Sequence, residues 1–228
     1  MTDRRIVIAG GHGKIARHLI KLLTASGDRA VALIRNPEHE GPVRALGAYP
    51  AIVDLENATV DEVAELLHGA DAVVFAAGAG PGSGAARKDT VDRGAAVLTA
   101  EAAERAGVRR YLQVSSFGAG EAIPGGIDEV FAAYLEAKTA AEEDLRQRDG
   151  LDWTILRPGG LTDEDPTDEV TLTEPPLERG TVSRADVAAV IAALLGSGED
   201  SRAPAAVGRT LMLTEGTTPV HDAVAALP

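Results

Sequence analysis

The first apolar run of the chain, Ile6-Val7-Ile8-Ala9, passes without a spacer into Gly10-Gly11-His12-Gly13, and residues 14–25 then carry Ile15, Leu19, Leu22 and Leu23 at helical spacing. A short β-branched run followed by an amphipathic stretch reads as a buried strand feeding a helix through a tight glycine turn. The same alternation then recurs. Strands are predicted at 30–34, 51–53, 72–76, 111–114, 153–156 and 210–213, with helices over 60–68, 90–106, 127–148 and 184–195. Near-continuous apolar strands alternating with helices imply an α/β doubly wound parallel sheet flanked by helices on both faces. With 228 residues and no internal repeat, the chain is read as a single domain, 1–228. Ser183 and Asp186 sit where a capping box opens the 184–195 helix, so Asp186 is assigned a structural role.

One segment breaks this pattern. Residues 161–179 (LTDEDPTDEVTLTEPPLER) hold seven acidic residues and three prolines. In an open α/β sheet ligands lie beyond the carboxyl ends of the strands, and this segment leaves from such an end. It is expected to be an acidic substrate-side loop, with a plain solvated loop as the alternative. Its acidity argues against an anionic substrate.

Charge narrows the partners. The chain has 22 Lys and Arg against 35 Asp and Glu, a formal net charge of −13. Nucleic acid and anionic membranes are polyanions, so neither is an expected partner. Residues 1–45 depart from the average, with eight basic side chains against four acidic ones, a local balance of +4 that leaves −17 for the remainder. Such a segment suits a small anion. There are no cysteines, and the five histidines (His12, His18, His39, His68, His221) have no metal-ligand spacing, so no metal and no thiol chemistry are expected. No apolar run is long enough to span a bilayer and no signal-peptide pattern is seen, so a cytoplasmic location is expected.

The glycine turn supplies the anion site. Gly10 and Gly13 let the backbone turn sharply and approach a pyrophosphate, which then meets the free N–H groups at the start of the helix, around Lys14 and Ile15. A Walker loop is excluded, because Ile8 and Ile15 occupy the positions where it needs a glycine and a hydroxyl. The third glycine of the dinucleotide pattern is Ala16, a small residue and a good helix former. At the end of the second strand, where an acidic residue would hold both ribose hydroxyls of NAD, the chain has Ile34-Arg35-Asn36. Arg35 can pair a 2′-phosphate in bidentate fashion, so NADP(H) is expected in preference to NAD(H).

At this level the chain resembles a known family. IVIAGGHGKIARHLIKLL, VALIRNPEH, Asp54-Leu55, FAAGAG, VDRGAAVLTAEAAERAGVRRYLQVSSFGAG, YLEAK and DWTILRPGGLTDE occur in the order found in the short-chain dehydrogenase/reductase superfamily. The resemblance is to its atypical branch of single-domain, NAD(P)-binding, epimerase/dehydratase-like proteins. It implies a Rossmann-type fold. It also implies that Asp54 and Leu55 lie by the adenine, that Ala76, Ala77 and Gly78 pass close to the adenosine ribose, and that Ser115 or Ser116 lies at the end of the fifth strand. Pro158 and Gly159 are implied near the nicotinamide, and His12 is read as a loop residue by the cofactor, not a base.

The same resemblance implies a Tyr-x-x-x-Lys pair, matched by Tyr134 and Lys138, with Ser116 as the upstream serine. Four residues apart on a helix, Tyr134 and Lys138 share a face, so the ammonium can favour tyrosinate and also hold the nicotinamide ribose. From composition alone a tyrosine followed by lysine at this spacing is expected about 0.05 times in the chain. The phenol would act as general acid or base while hydride moves to or from the nicotinamide, and Ser116 would orient the substrate oxygen. Asp92 stands where the family's proton relay has Asn, and could order water or hold a different substrate. The expected function is an NADP(H)-dependent oxidoreductase acting on a carbonyl or alcohol. An NADP(H)-binding redox sensor or scaffold without turnover, and a flavin- or quinone-reductase-like or epimerase-like activity, stay open, as do monomer and homodimer.

Overall fold

The computed structural model describes residues 3–80, 82–123, 125–196 and 206–227. Its first strand, β1 (Arg5–Ala9), shows why the apolar run is continuous: Ile6 and Ile8 enter one hydrophobic core while Val7 and Ala9 enter another. A strand buried on both faces has no solvent side for polar residues. The elements then follow as α1 (Lys14–Ala25), β2 (Arg29–Ile34), a 3₁₀ turn at Pro37–His39, α2 (Glu40–Ala45), β3 (Tyr49–Ile52), α3 (Val60–Leu67) and β4 (Ala72–Phe75). Next come α4 (Ala85–Arg87), a π-helical stretch (Lys88–Ala95) and α5 (Ala96–Arg105), then β5 (Arg110–Val114), α6 (Glu129–Arg146), β6 (Asp152–Pro158) and β7 (Gly160–Thr162). The chain closes with β8 (Glu169–Thr173), β9 (Thr181–Ser183), α7 (Arg184–Leu194), β10 (Arg209–Glu215), β11 (Thr218–Pro219) and α8 (Val220–Ala225).

The main sheet has the order β11-β8-β10-β6-β5-β4-β1-β2-β3. From β3 to β10 every neighbour is parallel, and only β8 and β11 add antiparallel pairs. One face packs on α1, α7 and α8 through Leu19, Ile20, Leu23, Val187, Val190 and Val224. The other packs on α3, α5 and α6 through Val63, Leu67, Ala100, Ala103 and Leu145. This is the doubly wound, Rossmann-like α/β single domain that the alternation implied. Strand order reverses between β1 and β4, and ligands of such sheets bind beyond the carboxyl ends at that reversal.

Three elements differ from the sequence-based expectation, each for a physical reason. The third strand starts at Tyr49 and ends before Val53; it is the sheet edge, pairing only β2, and an edge strand accommodates Pro50. The helix expected over 90–106 starts earlier, at Ala85, and is π-helical over Lys88–Ala95. The segment expected to be a loop, 161–179, contains β8, whose Val170 is buried beneath an otherwise acidic stretch. Asp186 is fully buried at the start of α7, where its backbone N–H donates to Ser183 Oγ at 3.0 Å. Its carboxylate accepts from the backbone N–H groups of Thr167 and Asp168, at 3.1 and 2.9 Å, so this cap also anchors the acidic segment.

Candidate functional site: two clefts at the carboxyl edge

The glycine turn after β1 is dictated by how closely β4 passes. Gly10 has φ +78°, and a Cβ there would lie 2.7 Å from the Ala77 Cα. Only glycine fits both the backbone angle and the gap. Gly11 is similarly pressed on β2, where a Cβ would lie 2.4 Å from that of Ala32. Gly13 caps α1 without a side chain, and the first turn of the helix holds no acidic residue. The orphan N–H groups of that turn are therefore left for an anion.

A cleft of about 410 Å³ opens over this turn. It brings together Gly10, His12, Gly13, Arg35, Asp54, Leu55, Ala76, Ala77 and Gly78. A backbone cradle that a Cβ would fill, above an uncapped helix start, fits a dinucleotide pyrophosphate. Lys14 and Ile15 are not part of the lining: Ile15 packs on the core, and the Lys14 ammonium reaches the Asp163 carboxylate.

Sequence reasoning missed several residues of this cleft, among them Asn36, His39, Glu56 and Arg87. Glu56 gathers three donors: Arg35 Nη1 at 2.7 Å, Arg87 Nη2 at 2.5 Å and Thr90 Oγ1 at 2.7 Å. Those bonds, Arg87's first, hold its carboxyl below the usual range. Arg35 thus does have an acidic neighbour, supplied by the turn after β3 and not by β2. Asp54 ties that turn, accepting from Glu56 N at 3.1 Å and Asn57 Nδ2 at 2.8 Å. Opposite, the His12 and His39 rings stack with centroids 3.6 Å apart and planes 11° from parallel. Burial, then His39 and Arg17, hold the His12 pKa below its ordinary value.

A second cleft, also about 410 Å³, opens beyond β5 and β6 and is lined by Ser115, Ser116, Phe117, Tyr134, Pro158 and Gly159 among others. Gly159 is forced by chain approach, since a Cβ would lie 2.3 Å from Gly180 O. Ser116 is partly exposed, its hydroxyl donating to Phe117 O at 3.2 Å. Ser115 is buried and its hydroxyl donates to Glu142 Oε1 at 2.5 Å. Glu142, fully buried, is in turn clamped by Arg157 Nε at 2.9 Å and Nη2 at 2.5 Å, and by Arg146 Nη2 at 2.6 Å. The Ser115 hydroxyl thus already has a partner within the framework.

Tyr134 is half-buried on α6, its ring stacked on Phe131 with centroids 5.9 Å apart. Lys138, one turn on, has its Nζ 5.8 Å from the Tyr134 ring centroid, and Lys88 Nζ lies 5.3 Å from it. Lys138 is buried and does not line either cleft. Its Nζ lies 3.2 Å from Asp92 Oδ1 and donates to Val114 O at 3.2 Å. Asp92, 1% exposed on the π-helical stretch, also accepts from Ala79 N at 3.2 Å and likewise lines neither cleft. A π-helical turn is a recurrent device for re-aiming one side chain at a functional site. Among the described residues, no three His, Asp or Glu side chains gather as a metal site, and no helix is long and apolar enough to cross a membrane.

Comparison with known proteins bears on the family and the fold. A family model described as NAD(P)H-binding matches residues 10–197. The chain is 34% identical over 222 residues to a Bacillus subtilis protein called uncharacterized sugar epimerase YhfK, across 96% of this chain and 98% of that protein. A solved structure from Bacillus halodurans, provisionally named an NAD-dependent epimerase/dehydratase, superposes with a TM-score of 0.86 at 34% identity, covering 98% of this chain and all of that one. ChuY, an anaerobillin reductase from Escherichia coli O157:H7, superposes with a TM-score of 0.74 at 28% identity, covering 92% and 97%.

Proposed function

Because the chain belongs to the NAD(P)H-binding family, whose model spans most of its length, we propose that it is an NADP(H)-dependent oxidoreductase that moves hydride between the nicotinamide and a carbonyl or alcohol. The observation that carries this reading is Tyr134, standing on the wall of the second cleft beside Ser116 with the Lys138 ammonium near its ring. The reduced cofactor, when bound, supplies the hydride. Gly10, Gly13 and the open first turn of α1 hold its pyrophosphate, while Ala76, Ala77 and Gly78 form the floor under the adenosine half. Ser116 Oγ orients the substrate oxygen and the Tyr134 hydroxyl delivers or takes its proton. Asp92 acts by positioning Lys138, and Ser115 by joining β5 to the Glu142 cluster.

Preference for the 2′-phosphate rests on Arg35 and Arg87. Both guanidinium groups share the Glu56 carboxylate, and Asp54 also acts on Arg87, so the preference rests on the fork geometry of the two guanidinium groups and not on net charge. Glu56 itself already accepts four hydrogen bonds, two of them from Arg87, and has little capacity left for ribose hydroxyls. Titrating NADPH and NADH against the Trp153 fluorescence of wild type and Arg35→Ala tests the preference: the substitution should weaken NADPH about ten-fold and NADH far less. Equal losses for the two cofactors contradict it.

A second reading, NADP(H) binding without turnover, draws on the Asp92–Lys138 pair, which already engages the ammonium that would favour tyrosinate. It predicts NADPH binding with no oxidation on any carbonyl compound.

A further inference from the structure

The second cleft carries a charge that composition conceals. Beyond Ser115, Ser116, Tyr134 and the glycine floor, its lining includes Phe117, Phe131 and Leu161 on the apolar side and Arg179 and Arg184 as its charged side chains. No carboxylate is among its described lining residues. Both arginines come from the stretch around the acidic segment. Arg179 is its last residue and Arg184 opens α7.

Each arginine has an acidic neighbour outside the cleft lining. Asp163 binds the Lys14 ammonium and Arg184 Nη1, the latter at 2.7 Å, and these partners hold its carboxyl below the usual range. Glu121 lies 3.6 Å from Arg179 Nη2, and both side chains are at least half exposed. Exposed ion pairs of this kind contribute little, so a ligand carboxylate can replace them at small cost. Arg184 differs from an ordinary surface arginine in keeping only 24% of its side chain exposed. A guanidinium on the lining of such a cleft is well suited to bidentate recognition of a carboxylate.

We propose that the substrate is an anion: a carbonyl compound with a carboxylate, or the corresponding hydroxy acid, whose apolar body lies on Phe117, Phe131 and Leu161 and whose charge meets Arg179 and Arg184. This rests on the oxidoreductase reading for the carbonyl and on the cleft itself for the charge. It reverses the expectation drawn from the acidity of 161–179. Net composition does not report which side chains turn inward, and here the basic ones do.

The test compares 4-formylbenzoate with its methyl ester, which differ in charge and share the aldehyde. Each is titrated calorimetrically into protein saturated with NADP+, and its reduction is followed with NADPH, for wild type, Arg179→Gln and Arg184→Gln. The acid should bind wild type at least about ten-fold tighter than the ester, and each substitution should shrink that preference by about the same factor. NADP+ titrations of the same variants separate loss of cofactor from loss of substrate. Equal binding of acid and ester, an acid preference that survives both substitutions, or binding of neither compound overturns the proposal. Arginine-dependent binding of the acid without NADPH oxidation supports the anion site and removes the oxidoreductase reading. Equal reduction of both compounds does the reverse.

Discussion

Asp92 Oδ1 and Lys138 Nζ lie 3.2 Å apart in the protein interior, joining the π-helical stretch to α6 beside the Tyr134 ring. Removing one member of a buried ion pair strands the other charge, which typically costs about 3–5 kcal/mol. Lys138→Met should therefore destabilise the fold by about 3 kcal/mol in urea unfolding, and adding Asp92→Asn should recover most of the loss. Additive losses in the double variant would show that the two residues act independently.

Gly10 tests the cradle. Alanine there combines a positive φ with a Cβ 2.7 Å from the Ala77 Cα. Gly10→Ala should lower stability by about 2 kcal/mol and abolish NADPH binding. Calorimetric unfolding with and without NADPH measures both, and an unchanged ligand-induced rise in Tm would count against the assignment.

Glu56→Gln separates the two cofactors. With its carboxylate gone, Arg35 and Arg87 lose their shared counter-charge, and NADPH affinity should rise about three-fold to ten-fold. NADH affinity should move little. The opposite pattern, weaker NADH with unchanged NADPH, would assign Glu56 to the ribose hydroxyls.

The stacked imidazoles give a pH dependence whose sign differs between binding and stability. Burial, His39 and Arg17 hold the folded-state pKa of His12 below its ordinary, unfolded value, so the unfolded chain takes up the proton first. Stability contributed by neutral His12 is thus fully present above that value and is lost as pH falls through the folded pKa. Arg17 is the charged group that acts on His12, and the cleft that His12 lines also holds Arg35 and Arg87 with Asp54 and Glu56. A 2′-phosphate would reward protonation there, so NADPH affinity should increase relative to NADH as pH drops from about 8 to about 5.5. Fluorescence titrations at fixed ionic strength check this, and parallel curves for the two cofactors would contradict it.

What the sequence revealed was what is local along the chain. The strand, the glycine turn and α1 are contiguous, and Tyr134 and Lys138 lie one helical turn apart, so period and spacing were enough to read them. Glu56, Arg87 and His39 meet Arg35 and His12 only after β2 pairs with β3 and the helix after β4 folds over the cleft. No spacing rule connects them. Asp92 was legible as a position in a family pattern, but its pairing with Lys138 depends on the π-helical turn, which has no signature in residue type. The strand β8 was hidden because Val170 and Leu172 alternate within a run that is acidic and rich in proline. Arg179 and Arg184 stand at and just beyond the end of that run, and its net charge does not report that both line the second cleft.

Proton transfer by Tyr134 is the proposed step on which the oxidoreductase reading turns. The most direct measurement is the turnover of Tyr134→Phe with saturating NADPH, on whichever carbonyl compound the wild-type protein reduces fastest, with an NADPH titration to show that the variant is folded. Loss of the hydroxyl should lower kcat about 100-fold or more while NADPH still binds. Wild-type turnover in the variant, or a wild-type protein that oxidises NADPH on none of a broad carbonyl panel, would contradict the account.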